Sequence, residues 1–221
     1  MKIKSYALFQ KDFNSELRTR YAVNSLAMFI LVALSVILFS IGNERISPAL
    51  TGGLFWVVIF FTAMSGLSRA FVSEEERGTS LTLQLIAAPS TIFTGKLLFN
   101  LILVFAMNII ITLLYSALFE EFIIRNLLLF ILTFILGNIG MAVSATIIAA
   151  IIAKAGSKGT LYPVLSFPIL LPLIITSVRL TLFAIEGNSF DSSKVELLII
   201  ACYDIIMISA SYMLFDFIWK D

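Results

Sequence analysis

Six apolar runs, at roughly 22 to 41, 49 to 72, 92 to 118, 122 to 152, 160 to 183 and 197 to 219, leave this chain very few ways to fold. Each supplies the ~20 residues that a helix needs to cross a lipid core at about 1.5 Å of rise per residue. The third and fourth are longer than a crossing requires, which implies tilt, a kink or an extension beyond the lipid. The short Phe119-Glu120-Glu121 break between them is the weakest boundary in the count. With 60% hydrophobic and 13% charged residues, a water-soluble fold of 221 residues could not cover its surface. The expected class is an all-α integral membrane protein with six transmembrane helices, forming one domain over residues 1–221.

Basic residues orient the spans. With an even count both termini share a side, and that side collects Lys2, Lys4, Lys11, Arg18, Arg20, Arg69, Arg77, Lys96, Lys154, Lys158 and Lys220, against Arg45, Arg125, Arg179 and Lys194 on the other. Both termini are therefore expected in the cytoplasm. Ahead of the first span, Ile3, Tyr6, Phe9, Phe13 and Leu17 recur at spacings of three and four with charges between them. That pattern suits an amphipathic helix over 1–21 lying in the interface plane, retained because no small-x-small cleavage site follows the first span.

Several chemistries are excluded by what is missing. There is no histidine, and the one cysteine, Cys202, lies in an apolar run, so histidine-based zinc sites, Ser-His-Asp hydrolysis, histidine ligation of haem and an intrachain disulfide are all unavailable. Any haem contact would have to use Tyr, Met, Cys202 or aromatic stacking. A net charge of +1 gives no reason to expect nucleic acid. No GxxxxGK[ST] loop exists; Ala155-Gly156-Ser157-Lys158-Gly159-Thr160 has the composition without the spacing.

Three features remain informative. The first is the hydrophilic segment 73–90, in which Glu74, Glu75, Glu76 and Arg77 precede Gly78, Thr79, Leu81, Leu83, Leu85 and Ile86, with Pro89 beyond. Acids ahead of a helical stretch favour its N-terminus, so a short helix beginning near Glu74 is expected, the alternative being a solvated loop. The second is the fifth span, where Pro163, Pro168 and Pro172 each remove a backbone donor, predicting a kinked or broken helix. The third is the set of intramembrane polar residues: Asn100 and Asn108 on nearly one face with Lys96, Asn138 in the fourth span, and Asp204 well inside the sixth. A carboxylate in lipid is costly, so Asp204 is either functional, or bonded to a neighbouring helix, or close to the periplasmic interface. Gly66, Gly137 and Gly140 could admit close helix contact.

These residues resemble the cytochrome c maturation permease family, also called haem exporter protein B (CcmB), among the ABC-2-like exporters. The resemblance is carried by Lys11-Asp12 with Glu16-Leu17-Arg18, by 71–79 (Phe-Val-Ser-Glu-Glu-Glu-Arg-Gly-Thr), by Leu85-Ile86-Ala87-Ala88-Pro89, by Gly95-Lys96 and by the proline-rich fifth span. It implies a bacterial inner-membrane permease subunit, itself non-catalytic, whose segment 74–86 is a coupling helix docking into a separate cytoplasmic ABC ATPase. It makes the amphipathic start a connector helix. It also implies a haem-handling membrane partner, a periplasmic haem chaperone, a second permease copy, haem handled by the complex without covalent attachment here, and ATP bound by the partner. Two alternatives stay open from the residues: an ABC-2 permease exporting a lipid, glycan or drug, and a membrane-embedded enzyme or scaffold, the enzyme having no paired carboxylates or metal cluster in its favour.

Overall fold

A computed structural model describes residues 2–42, 44–67, 71, 74–75, 78–154 and 162–220. Among them there is no strand. The helices are α1 (Lys2–Thr19), α2 (Tyr21–Ile41), α3 (Pro48–Leu67), α4 (Ser80–Ile86), α5 (Pro89–Leu118), α6 (Leu127–Lys154), α7 (Tyr162–Glu186) and α8 (Phe190–Lys220). Six of these, α2, α3, α5, α6, α7 and α8, are long and apolar enough to cross a membrane. Both termini therefore lie at one end of the bundle, here called the terminal end.

The centre is α6, which packs against α3, α5, α7 and α8. From Gly140 to Ala150 every residue of α6 is buried, as expected of a helix apolar all round, and its Ala, Gly and Ser residues let neighbours approach closely. By contrast α2 and α8 are the least enclosed spans. Aromatic clusters close both ends. At the end opposite the termini Phe55, Tyr115, Phe119, Phe122 and Phe130 pack edge to face or tilted, with Tyr115 donating to the Thr51 carbonyl at 2.9 Å. At the terminal end Phe71, Phe93, Phe215 and Trp219 form a second cluster, with Phe215 and Trp219 stacked and the other pairs tilted, and Lys154 sits 5.6 Å above the Trp219 ring. In a medium without water the helix hydroxyls bond back to carbonyls four residues earlier, as Thr112, Thr133, Thr146 and Thr176 do.

Two elements differ from the sequence expectation. The sixth span begins at Phe190, because Asp191 and Lys194 pair on its first turn and let the helix start in a polar setting. The fifth span is not broken: α7 runs continuously through Pro168 and Pro172. Pro163 falls in its first turn, where the missing N–H has no partner to lose. The inner two remove the donors that would meet the Val164 and Pro168 carbonyls, and packing along α6 holds the helix across those gaps.

Candidate functional site

At the terminal end the chain assembles a buried ion cluster from three distant stretches. Lys96, in the second turn of α5, points its ammonium at Glu74 Oε1 (2.8 Å) and Asp12 Oδ2 (2.9 Å). Lys11 on α1 meets the same Glu74 oxygen at 2.7 Å, and Thr79 donates its hydroxyl to the other. The Lys96–Asp12 contact is an ion pair whose angle falls short of a hydrogen bond. Glu74 is only 5% exposed. Burial alone would push its carboxyl up; the Lys96 charge and the hydrogen bonds from Lys11, Lys96 and Thr79 outweigh it and hold the group at about 2, against an ordinary 4.5. That difference corresponds to ~3 kcal/mol, present in full above pH 4.5 and lost as pH falls through about 2.

The cluster exists because α1 lies along the first turns of α5. Gly95 makes the approach possible: a methyl group there would come within 2.8 Å of Leu8 Cβ and 3.0 Å of the Ser5 carbonyl. Ser5 donates to the Thr91 carbonyl (3.2 Å), and Lys4 to the Ile86 carbonyl (3.1 Å) at the end of α4. A left-handed Arg20 (φ 51°) turns the chain from α1 into α2, with Glu16 accepting from the Val23 N–H at 3.0 Å. Thus α1 is packed into the bundle through one face.

The segment around the acids is built differently from the expectation. Gly78 takes a left-handed φ of 65° and donates to the Glu75 carbonyl (3.0 Å), while Thr79 N–H reaches the Glu74 carbonyl (2.9 Å). These two bonds are a Schellman stop, so Glu74 and Glu75 close one helical stretch and α4 starts afresh at Ser80. The acids do not begin α4. Glu74 faces inward and Glu75 faces solvent; Glu76 and Arg77 lie outside the described residues, as does the side chain of Leu81. Within α4, Leu83 is buried, whereas Leu85 is 88% and Ile86 59% exposed. Gln84 donates to the Trp219 carbonyl (2.7 Å), and a cavity of about 500 Å³ opens between α4, Pro89 and Trp219.

Deeper in the bundle the asparagines join α5 to α6. Asn108 donates to Asn138, which donates in turn to the Phe134 carbonyl (2.6 Å), and Asn100 reaches Thr146 Oγ1 at 2.8 Å. The face shared by Lys96, Asn100 and Asn108 is therefore real, with Thr146 a partner that no sequence signal marked. Asp204 joins neither this ladder nor the ion cluster. Among the described residues no three His, Cys, Asp or Glu side chains come together as a metal-binding group. Cys202 faces outward from α8 and has no polar partner, so Cys202→Ala is expected to leave the melting temperature of the purified protein within error of the parent.

Six apolar helices, with a small-residue helix at their centre and asparagine hydrogen bonds joining two of them, define a polytopic helical membrane protein. The chain matches the family model described as CcmB protein over residues 3–214. It belongs to the CcmB family, the membrane component of the haem exporter for cytochrome c maturation, and so works within an ABC exporter complex. No curated protein matches the chain.

Proposed function

We propose that the chain is the non-catalytic permease subunit through which a separate cytoplasmic ATPase acts, and that α4 is the element the ATPase grips. The observation that carries this reading is the exposure of Leu85 and Ile86 on a helix tied down at three points. Lys4 holds the Ile86 carbonyl, Gln84 the Trp219 carbonyl, and Leu83 is sunk into the core. An apolar tip in water is a contact surface, and a stiff mount is what lets force applied there reach the spans. Through Lys96, the neighbouring cluster links the stretch before α4 to α5, and through Lys11 and Asp12 to α1. Glu74 acts as an internal tie in this scheme, and the exposed Glu75 is available for steering a partner.

In the same reading the membrane is the bacterial inner membrane, as the family implies, and both termini are cytoplasmic, as the basic residues favour. A second permease copy, a haem-handling membrane partner and a periplasmic haem chaperone complete the complex, with the open flanks of α2 and α8 available to the membrane partners. ATP is bound by the partner and haem is handled by the complex without covalent attachment to this subunit. With Cys202 replaced by Ala, cysteines at the exposed positions Ser47 and Ser189 should label from outside the cell, and one at Thr82 only after permeabilisation. Labelling at Thr82 but not at Ser47 and Ser189 in intact cells would mean the reverse topology.

The docking test separates two neighbouring leucines. Leu85→Asp should leave the melting temperature nearly unchanged but reduce ATPase retained on the detergent-purified complex at least tenfold, with a matching loss of cytochrome c yield. Leu83→Asp should instead destabilise the subunit itself, because its carboxylate would be buried. Full ATPase retention by Leu85→Asp would remove α4 as the docking element.

A further inference from the structure

The sixth span carries a carboxyl group that neither the ion cluster nor the asparagine ladder employs. Asp204 lies well inside α8, is 5% exposed, and has no hydrogen-bond partner for either oxygen. On α6 it faces Gly140: a methyl group at that glycine would collide with Asp204 Oδ1 and come within 2.9 Å of Leu173 on α7. The site is thus shut between three helices. Its polar neighbours are turned elsewhere, since the Tyr203 hydroxyl pairs with Ser144 (2.9 Å) and the Ile169 carbonyl (3.0 Å).

No charge on the facing elements answers it. The only charged residue of α6 is Lys154, fourteen residues beyond Gly140 and about 21 Å along the helix. On α7, Arg179 and Glu186 lie toward the opposite end; on α5, Lys96 is taken by Glu74 and Asp12. On α8 itself Asp191 and Lys194 pair with each other, and Glu196, Asp216 and Lys220 sit two or more turns away. The tyrosines of these helices, Tyr115, Tyr162, Tyr203 and Tyr212, all have other partners. Among the described residues no Lys or Arg forms an ion pair with Asp204.

An unpaired carboxylate enclosed in this way carries a large desolvation cost. A bound metal ion would need several further oxygen ligands, whereas a proton removes the charge and occupies no space. We propose that Asp204 is a proton-binding site within the membrane: its carboxyl holds a proton while α6, α7 and α8 are packed together, and occupancy is coupled to that packing. Pro168 and Pro172 make α7 the wall with fewest backbone hydrogen bonds of its own, and so the one whose displacement would open the site. This inference stands apart from the docking role of α4.

The test uses full-length protein in detergent, by infrared spectroscopy and thermal melting across pH. The parent protein should show a protonated-carboxyl stretch at neutral pH that shifts in heavy water, disappears on alkalinisation and is missing from Asp204→Asn. Its melting temperature should fall relative to Asp204→Asn as pH rises, because the carboxamide cannot ionise. Identical carboxyl spectra for parent and variant, or a melting difference that is flat with pH, would overturn the proposal. Should Asp204→Asn fail to accumulate, Gly140→Ala must shift the frequency of the same band, and an unmoved band would overturn it equally.

Discussion

Lys96→Met should be among the most damaging single substitutions in the chain. It removes the one ammonium shared by Glu74 and Asp12, leaving Asp12 without its ion-pair partner and Glu74 with only the half-exposed Lys11. Removing one partner of a buried pair costs roughly 3–5 kcal/mol, more than the pair contributes relative to apolar replacements of both. A fall in melting temperature on the order of 10 °C is expected in detergent, with a several-fold loss of cytochrome c yield. Glu74→Gln in the same molecule should recover part of the loss, since the amide needs no counter-charge. The gap between parent and Lys96→Met should narrow below pH 4.5, where the Glu74 contribution in the parent begins to be lost. A variant that melts with the parent would mean the cluster is solvated and carries no load.

Gly137→Ala should approach this in severity, for a steric reason. A methyl group at Gly137 would run into the six-membered ring of Trp56 and lie 3.3 Å from Ser177 Oγ. Trp56 cannot step aside cheaply, because it is fully buried and its indole N–H is held by Thr181 Oγ1 at 2.8 Å. Overpacking of about 1–3 kcal/mol, with the loss of a hydrogen bond worth about 1 kcal/mol, gives a melting temperature lower by roughly 5–10 °C. Trp56→Phe removes the colliding ring atoms, so the double variant Gly137→Ala/Trp56→Phe should be more stable than the sum of the single losses predicts. Strict additivity would mean that the helices separate instead of clashing locally.

The spans were legible because apolar length is a local property, and the alignment of Lys96, Asn100 and Asn108 because helical periodicity is too. The role of Lys96 was not, since its partners Asp12 and Glu74 come from other elements and no local pattern records their approach. Segment 73–90 was half readable. Its hydrophobic positions mark a helix, but acids ahead of them suit a helix start, whereas a Gly following charged helical residues equally signals a C-terminus, which is what Gly78 forms. Leu83 and Leu85 are chemically identical, and only packing assigns one to the core and the other to solvent. The prolines allow a kinked or a broken span, and only the break is excluded by the continuous α7; the packing along α6 that keeps the helix whole lies outside any window of sequence.

The order in which the cluster's members are synthesised gives it a further consequence. Lys11 and Asp12 leave the ribosome first, Glu74 only after two spans, and Lys96 at the start of a third. Until α5 has begun to insert, α1 has neither the Lys96 charge nor the groove at Gly95 to settle into. The early charges must wait at the membrane surface, and they can be satisfied only if the beginning of α5 stays on the side from which the chain started. An α5 inserted upside down would strand Lys96 across the bilayer from both its acids. The buried ion pair is thus satisfied by one threading of the first three spans, and its stabilisation is absent from the inverted one.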